Sequence, residues 1–185
     1  MSSRPGGTGL RSGRRGWLWV VAALVIVGAG IFIAYAILSG GSDNGSPVDV
    51  VSGVECERGE RLDYHVHAHL TLLIEGEPVE LAQDIGIRPD CLFWLHTHSP
   101  NGIVHVEAPE QRSFTLGQFF DVWGQPLSRT QLLDRMADGS HEVQATVNGE
   151  RWNGDPTEIP LNDLTTVVLQ YGPPFVPAPE FDWGQ

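Results

Sequence analysis

LDYHVHAHLTLLI, residues 62–74, places histidine at every second position from His65 to His69 and then runs into a stretch that is apolar but for Thr71. Side chains alternate between the two faces of a strand, so His65, His67 and His69 share one face while Tyr64, Val66, Ala68 and Leu70 share the other. The spacing predicts a strand with imidazoles on one side and apolar groups on the other. CLFWLHTHSPNGIVHVEA, residues 91–108, repeats the device. His96 and His98 lie on one arm, His105 and Glu107 on the next, and Ser99-Pro100-Asn101-Gly102 between them has the chemistry of a tight turn. If the arms pair, those four side chains face one another.

Six of the seven histidines are therefore aimed by strand geometry, and a strand carrying His-x-His directs two neutral imidazoles at a common point. A lone alternating histidine is more often a hydrogen-bonded residue of the fold, but six on adjacent strands without a metal would compete for few acceptors and repel one another when protonated. The expected metal-binding set is His65, His67, His69, His96, His98, His105 and Glu107. His67 with His96 and His98 forms its centre, assisted by His65 or His69 and by His105. His65 and His69 stand about 13 Å apart along a strand, so either two ions are held or some rings only support the ligands. Glu107 has three functional roles open, as ligand, partner of a metal-bound imidazole, or general base for metal-bound water, and the alternative of a solvated strand carboxylate stands beside them. His141 shares its strand parity with no other ligand type and reads as a surface residue.

Imidazole-rich sites suit divalent transition metals, with copper or zinc expected first and iron or nickel accommodated, whereas Cu(I) carriers need sulfur and Met136 is the only methionine after the initiator. Cys56 and Cys91 are the only cysteines, and each precedes a histidine segment by a few residues. A disulfide between them is expected from the even count and the exported setting argued below; the alternative is Cys91 as a copper thiolate ligand.

The remaining organisation follows from composition. Residues 17–38, WLWVVAALVIVGAGIFIAYAIL, form an uncharged apolar run whose helical length of about 33 Å exceeds a bilayer core of about 30 Å. Arg4, Arg11, Arg14 and Arg15 precede it, which predicts a single-pass anchor with its N-terminus in the cytoplasm and the remainder outside. The length of the run favours an anchor over a cleaved signal peptide, for which Ala34-Tyr35-Ala36 would be the cleavage motif. The expected plan is a cytoplasmic basic segment 1–16, a transmembrane anchor 17–38, a flexible linker 39–47, an extracytoplasmic metal-binding domain 48–172 and a Pro-rich tail 173–185. All 23 acidic residues lie after the apolar run, which argues against nucleic acid and anionic lipid as ligands of that part; most of these carboxylates read as keeping the domain soluble, and the charge can also raise the local concentration of cations.

Within the domain, Glu75-Gly76-Glu77-Pro78 and Asn148-Gly149 mark hairpins, and LTTVVLQY, residues 164–171, reads as a β-branched strand. Two short helices are expected from their caps. Thr115 with Gln118 forms a capping box ahead of Leu116, Phe119, Phe120 and Trp123, and Ser128 with Gln131 repeats the pattern before Gly139. The fold class is thus α+β and β-rich: a mostly antiparallel sheet with two short helices, preceded by one transmembrane helix.

YHVHAHLTLLIEGEPVELAQDIGI, LHTHSPNGIVHVEAP and FTLGQFFDVWGQPL, within a match spanning roughly residues 56–172, resemble an uncharacterised family of membrane-anchored, extracytoplasmic, His-rich proteins of bacteria and archaea. That resemblance implies one exported module and assigns no reaction. A weaker likeness is to the His-x-His strand of cupins, although the distance from His96 and His98 to Glu107 departs from the cupin pattern. The function expected is membrane-anchored binding of a divalent transition metal, with the metal ion and the cytoplasmic membrane as partners. The alternatives are a metal-dependent hydrolase or oxygen-using enzyme with Glu107 as acid or base, and a structural or pH-sensing module without metal. No P-loop, dinucleotide fingerprint or nucleophile elbow is present.

Overall fold

The structure, a computed structural model, describes residues 49–184. Its centre is β3 (Tyr64–Ile74), the long strand expected from the alternating histidines. β7 (Ile103–Ala108) pairs antiparallel with it on one side and β13 (Thr165–Gly172) runs parallel on the other. The main sheet has the order β12-β11-β13-β3-β7-β6, where β6 is Leu95–His96, β11 Glu142–Val147 and β12 Glu150–Trp152. β4 (Glu77–Val79) also pairs with the end of β3. The β3/β4 and β11/β12 hairpins turn on Glu75-Gly76 and Asn148-Gly149, both residues of each pair having positive φ, the backbone that matches the twist of paired strands.

The sheet's two faces are chemically distinct. Ala68, Leu70 and Leu72 of β3, Val104 and Val106 of β7, and Val167 and Leu169 of β13 are buried together in the hydrophobic core. Against them pack Phe114 and the helix α1 (Leu116–Trp123), which buries Leu116, Phe119 and Phe120. α1 starts at the expected capping box, Thr115 with Gln118, and stops at Gly124, whose φ of 72° turns the chain out of the helix. The opposite face carries His65, His67 and His69, and the C-terminal segment returns to it. Gln170 binds both the N–H and the carbonyl of Val176 through its side-chain amide, and the Phe181 ring stacks on His69 at 3.6 Å.

A small antiparallel sheet, β1 (Asp49–Val51), β2 (Val54–Glu57) and β5 (Leu92–Phe93), flanks the main one. Cys56 in β2 and Cys91 beside β5 are joined as a disulfide with Cα atoms 5.4 Å apart, fastening the strand before one histidine segment to the start of the other.

Two expectations are corrected. Residues 127–136 form no second helix but a three-stranded meander, β8 (Leu127–Ser128), β9 (Gln131–Leu132) and β10 (Arg135–Met136). Ser128 Oγ accepts from the N–H of Thr130, two residues on, and so closes a tight turn instead of capping a helix, and Leu133 takes a positive φ of 53°. The fold among the described residues is therefore β-rich and mostly antiparallel with one α-helix. The anchor expected at residues 17–38, with its flanking segments 1–16 and 39–47, lies outside the described residues, and no helix among those described is long and apolar enough to cross a membrane. The preceding transmembrane helix, the single-pass location and the cytoplasmic membrane as a partner thus gain no support from the structure and are set aside.

The disulfide closes a loop of sequence separation 35, for which chain entropy alone gives about 4 kcal/mol of stabilisation. Reduction is expected to lower unfolding stability by about 2–4 kcal/mol in urea titrations, and thiol counting of the unreduced, denatured chain should find no free cysteine. Two titratable thiols would contradict the link.

Candidate metal centre

Strand register builds the centre. His67 of β3 lies opposite His105 of β7, and His105 lies opposite His96 of β6, so three imidazoles stand in one row across three adjacent strands. One step along, His65 lies opposite Glu107. Because neighbouring strands are about 4.8 Å apart, the rings must meet. The centroids of His67 and His105 are 4.7 Å apart, those of His96 and His105 5.1 Å, and those of His98 and His105 4.7 Å.

The histidines fall into two sets, His65 with His67 and His105, and His96 with His98 and His105. Within each set the ligand nitrogens lie within 4.8 Å of one another, and either set can coordinate a divalent metal ion. His105 belongs to both. His65 Nε2 is 3.4 Å from His105 Nδ1, and His96 Nε2 is 3.2 Å from His98 Nε2.

Local structure fixes the rings. His96 is fully buried, and its Nδ1–H donates to the carbonyl of Phe93 at 2.9 Å. A carbonyl only accepts, so Nδ1 carries the proton and Nε2 presents its lone pair toward His98. Between these two histidines Thr97 points the other way. Its N–H donates to Ile85 O, while its hydroxyl accepts from Ile85 N and donates to Ala82 O. This anchor on the buried side leaves both neighbouring imidazoles on the other face.

Glu107 lies at the junction of the two sets. Its Oε1 is 3.3 Å from His65 Nε2, 3.7 Å from His105 Nδ1 and 3.8 Å from His96 Nε2. The side chain is 3% exposed, and among the described residues Oε2 has no hydrogen-bond partner. Burial raises the Glu107 pKa, with the adjacent His65 acting in the opposite sense. Burial likewise pushes His96 down to about 4 and, joined by repulsion from the surrounding imidazoles, His105 down to about 3. His67 is lowered by the same causes. These rings are neutral near pH 7, the state in which imidazole binds metal.

His69, expected in the ligand group, belongs to neither set. Its Nε2 donates to the carbonyl of Asn101 at 3.1 Å, and its ring stacks on Phe181, against which Trp183 packs edge-on. Gly102 makes this placement feasible. With φ of +87° it approaches so closely that a Cβ there would stand 2.6 Å from His69 Nε2 and from the Leu70 carbonyl. His141 lies apart from the sets, stacked on Tyr171 and hydrogen-bonded to Asp138. Cys91 is held in the disulfide and offers no thiolate. Two neighbours escaped the sequence reading. Asp163 Oδ1 lies 3.4 Å from the His67 backbone N–H, and Glu60 Oε1 lies 3.9 Å from His98 Nε2. Neither has a parity or motif signal, since each reaches the centre from a loop.

No protein-family model, curated protein or solved structure matches this chain. The resemblance to a membrane-anchored His-rich family, and the weaker one to cupins, is therefore withdrawn as an identification.

A depressed histidine pKa gives the metal-free fold a defined acid response. As pH falls through about 6.5, the unfolded chain takes up protons that His96 and His105 in the fold refuse until about 4 and about 3, so stability drops across that window. The raised Glu107 acts the other way, because its protonation favours the fold, but one carboxylate opposes two imidazoles. Urea midpoints of the chelator-treated chain are expected to fall between pH 7 and pH 5, the unfolding free energy dropping by on the order of 1 kcal/mol per pH unit. A flat or rising midpoint would contradict the neutral, buried state of these rings.

Proposed function

We propose that this protein binds a divalent transition-metal ion through histidine, with zinc the best match to the site. The observation that carries this reading is the pair of nitrogen separations, 3.4 Å for His65 with His105 and 3.2 Å for His96 with His98. Two nitrogens bound to one ion at about 2.0–2.1 Å and at tetrahedral angles stand about 3.3–3.4 Å apart, whereas adjacent corners of a square plane would bring them to about 2.9 Å. The spacing therefore favours tetrahedral Zn(II) over tetragonal Cu(II).

Electrostatics supports the same reading. A buried carboxylate without a cationic partner is costly, and a divalent ion held by His65, His96 or His105 would supply the missing positive charge beside Glu107. In this role Glu107 orients and charge-balances the ligands. His96 has the arrangement of a metal-ligating imidazole whose other nitrogen is pinned to the backbone, here by the Phe93 carbonyl. The chain's net charge of −12 adds a field that concentrates cations.

Calorimetric titration of the 185-residue chain with Zn(II) tests the reading. Replacing His67 and His98 together by Ala removes a ligand from each set and is expected to weaken affinity by more than about 100-fold, with circular dichroism unchanged. His141→Ala and His69→Ala should bind as the parent does. Equal affinity in the double variant and the parent would refute the site.

A further inference from the structure

The two histidine sets meet at a single ring, and that raises the question of how many ions they hold. Nitrogens bound to one ion at about 2.1 Å stand at most about 4.2 Å apart, yet the five rings do not form one set even within 4.8 Å. One ion therefore takes one set. Each set is complete as a three-imidazole site, and each has its own acidic neighbour: Asp163 beside His67 and Glu60 beside His98. Between them lie the two groups common to both. His105 contributes to each set, and Glu107 Oε1 stands 3.3 Å from a nitrogen of the first, 3.8 Å from a nitrogen of the second and 3.7 Å from the shared ring.

Building on the histidine-site reading above, we propose that the centre is dinuclear, holding two divalent ions bridged by the His105 imidazole, with Glu107 as the carboxylate between them. His105 Nδ1 faces His65 and serves the ion held with His65 and His67. The ring's other nitrogen, Nε2, serves the ion held with His96 and His98. Imidazole has one lone pair when neutral, so binding of the second ion displaces the ring N–H proton to solvent and no oxidant or reductant is involved. The two ions bring four positive charges. The bridging ring, now anionic, and the carboxylates of Glu107, Glu60 and Asp163 bring four negative ones, so the assembled centre is close to neutral. Register imposes this arrangement: β7 is the middle strand of β3-β7-β6, so only a ligand from β7 can reach both sides.

Stoichiometry and magnetic coupling test it. The 185-residue chain is loaded with Zn(II), freed of weakly bound metal and assayed for metal per chain, and a second sample is loaded with Cu(II) for electron paramagnetic resonance. The expected results are two zinc ions per chain, one in His67→Ala and one in His98→Ala, and a copper spin count well below the copper content because the bridging ring couples the two ions. One zinc per chain would overturn the dinuclear centre while leaving the histidine site standing, and no bound zinc would overturn both. Two ions per chain with a full, uncoupled copper spin count would overturn the His105 bridge.

Discussion

β7 pairs between β3 and β6, and that pairing sets His67, His105 and His96 in one cross-strand row. A shift of one residue in either pairing would turn every imidazole of that strand into the apolar core and bring valines to the histidine face. The register is protected because that exchange is prohibitive. Val104 and Val106, which alternate with His105, are fully buried, and so is Leu95 beside His96. Burial of the aliphatic face thus determines where the imidazoles stand, and the core specifies the site without touching it.

The rings are crowded on that frame at a cost in electrostatic freedom. Protonating any of them in the row would place a charge out of water and, secondarily, against the neighbouring imidazoles, which accounts for the depression of His96 and His105. Beside them lies the buried carboxylate of Glu107, one oxygen of which has no partner among the described residues. An arrangement that holds imidazoles neutral and keeps a carboxylate dry is poorly optimised for an empty sheet face and well suited to a cation. The flanking disulfide contributes by joining the two chain segments that lead into the histidine strands.

Much of this was legible in the sequence because strand parity is local. The alternation in residues 62–74 located β3 and its histidine face, and turn chemistry at Asn148-Gly149 and the capping box at Thr115 located β11, β12 and α1. The same logic misread residues 127–136, because Ser-x-x-Gln can open a helix or close a two-residue turn, and the tertiary setting selected the turn. Parity also placed His69 with His65 and His67 but could not show that the backbone of Asn101 and the ring of Phe181 would occupy it. That outcome needed a tail more than a hundred residues away in sequence. The register that makes His105 the common ring was likewise hidden, since β4, β5 and β6 intervene between β3 and β7 and no single turn sets their pairing.

X-ray absorption at the zinc edge of the loaded chain separates imidazole from oxygen ligation, because imidazole rings scatter in a characteristic outer-shell pattern. Tetrahedral ligation by the histidine sets is expected to give four light-atom neighbours at about 2.0–2.1 Å with outer-shell scattering from about three imidazoles per zinc. A six-coordinate shell of oxygen neighbours without imidazole scattering would contradict it.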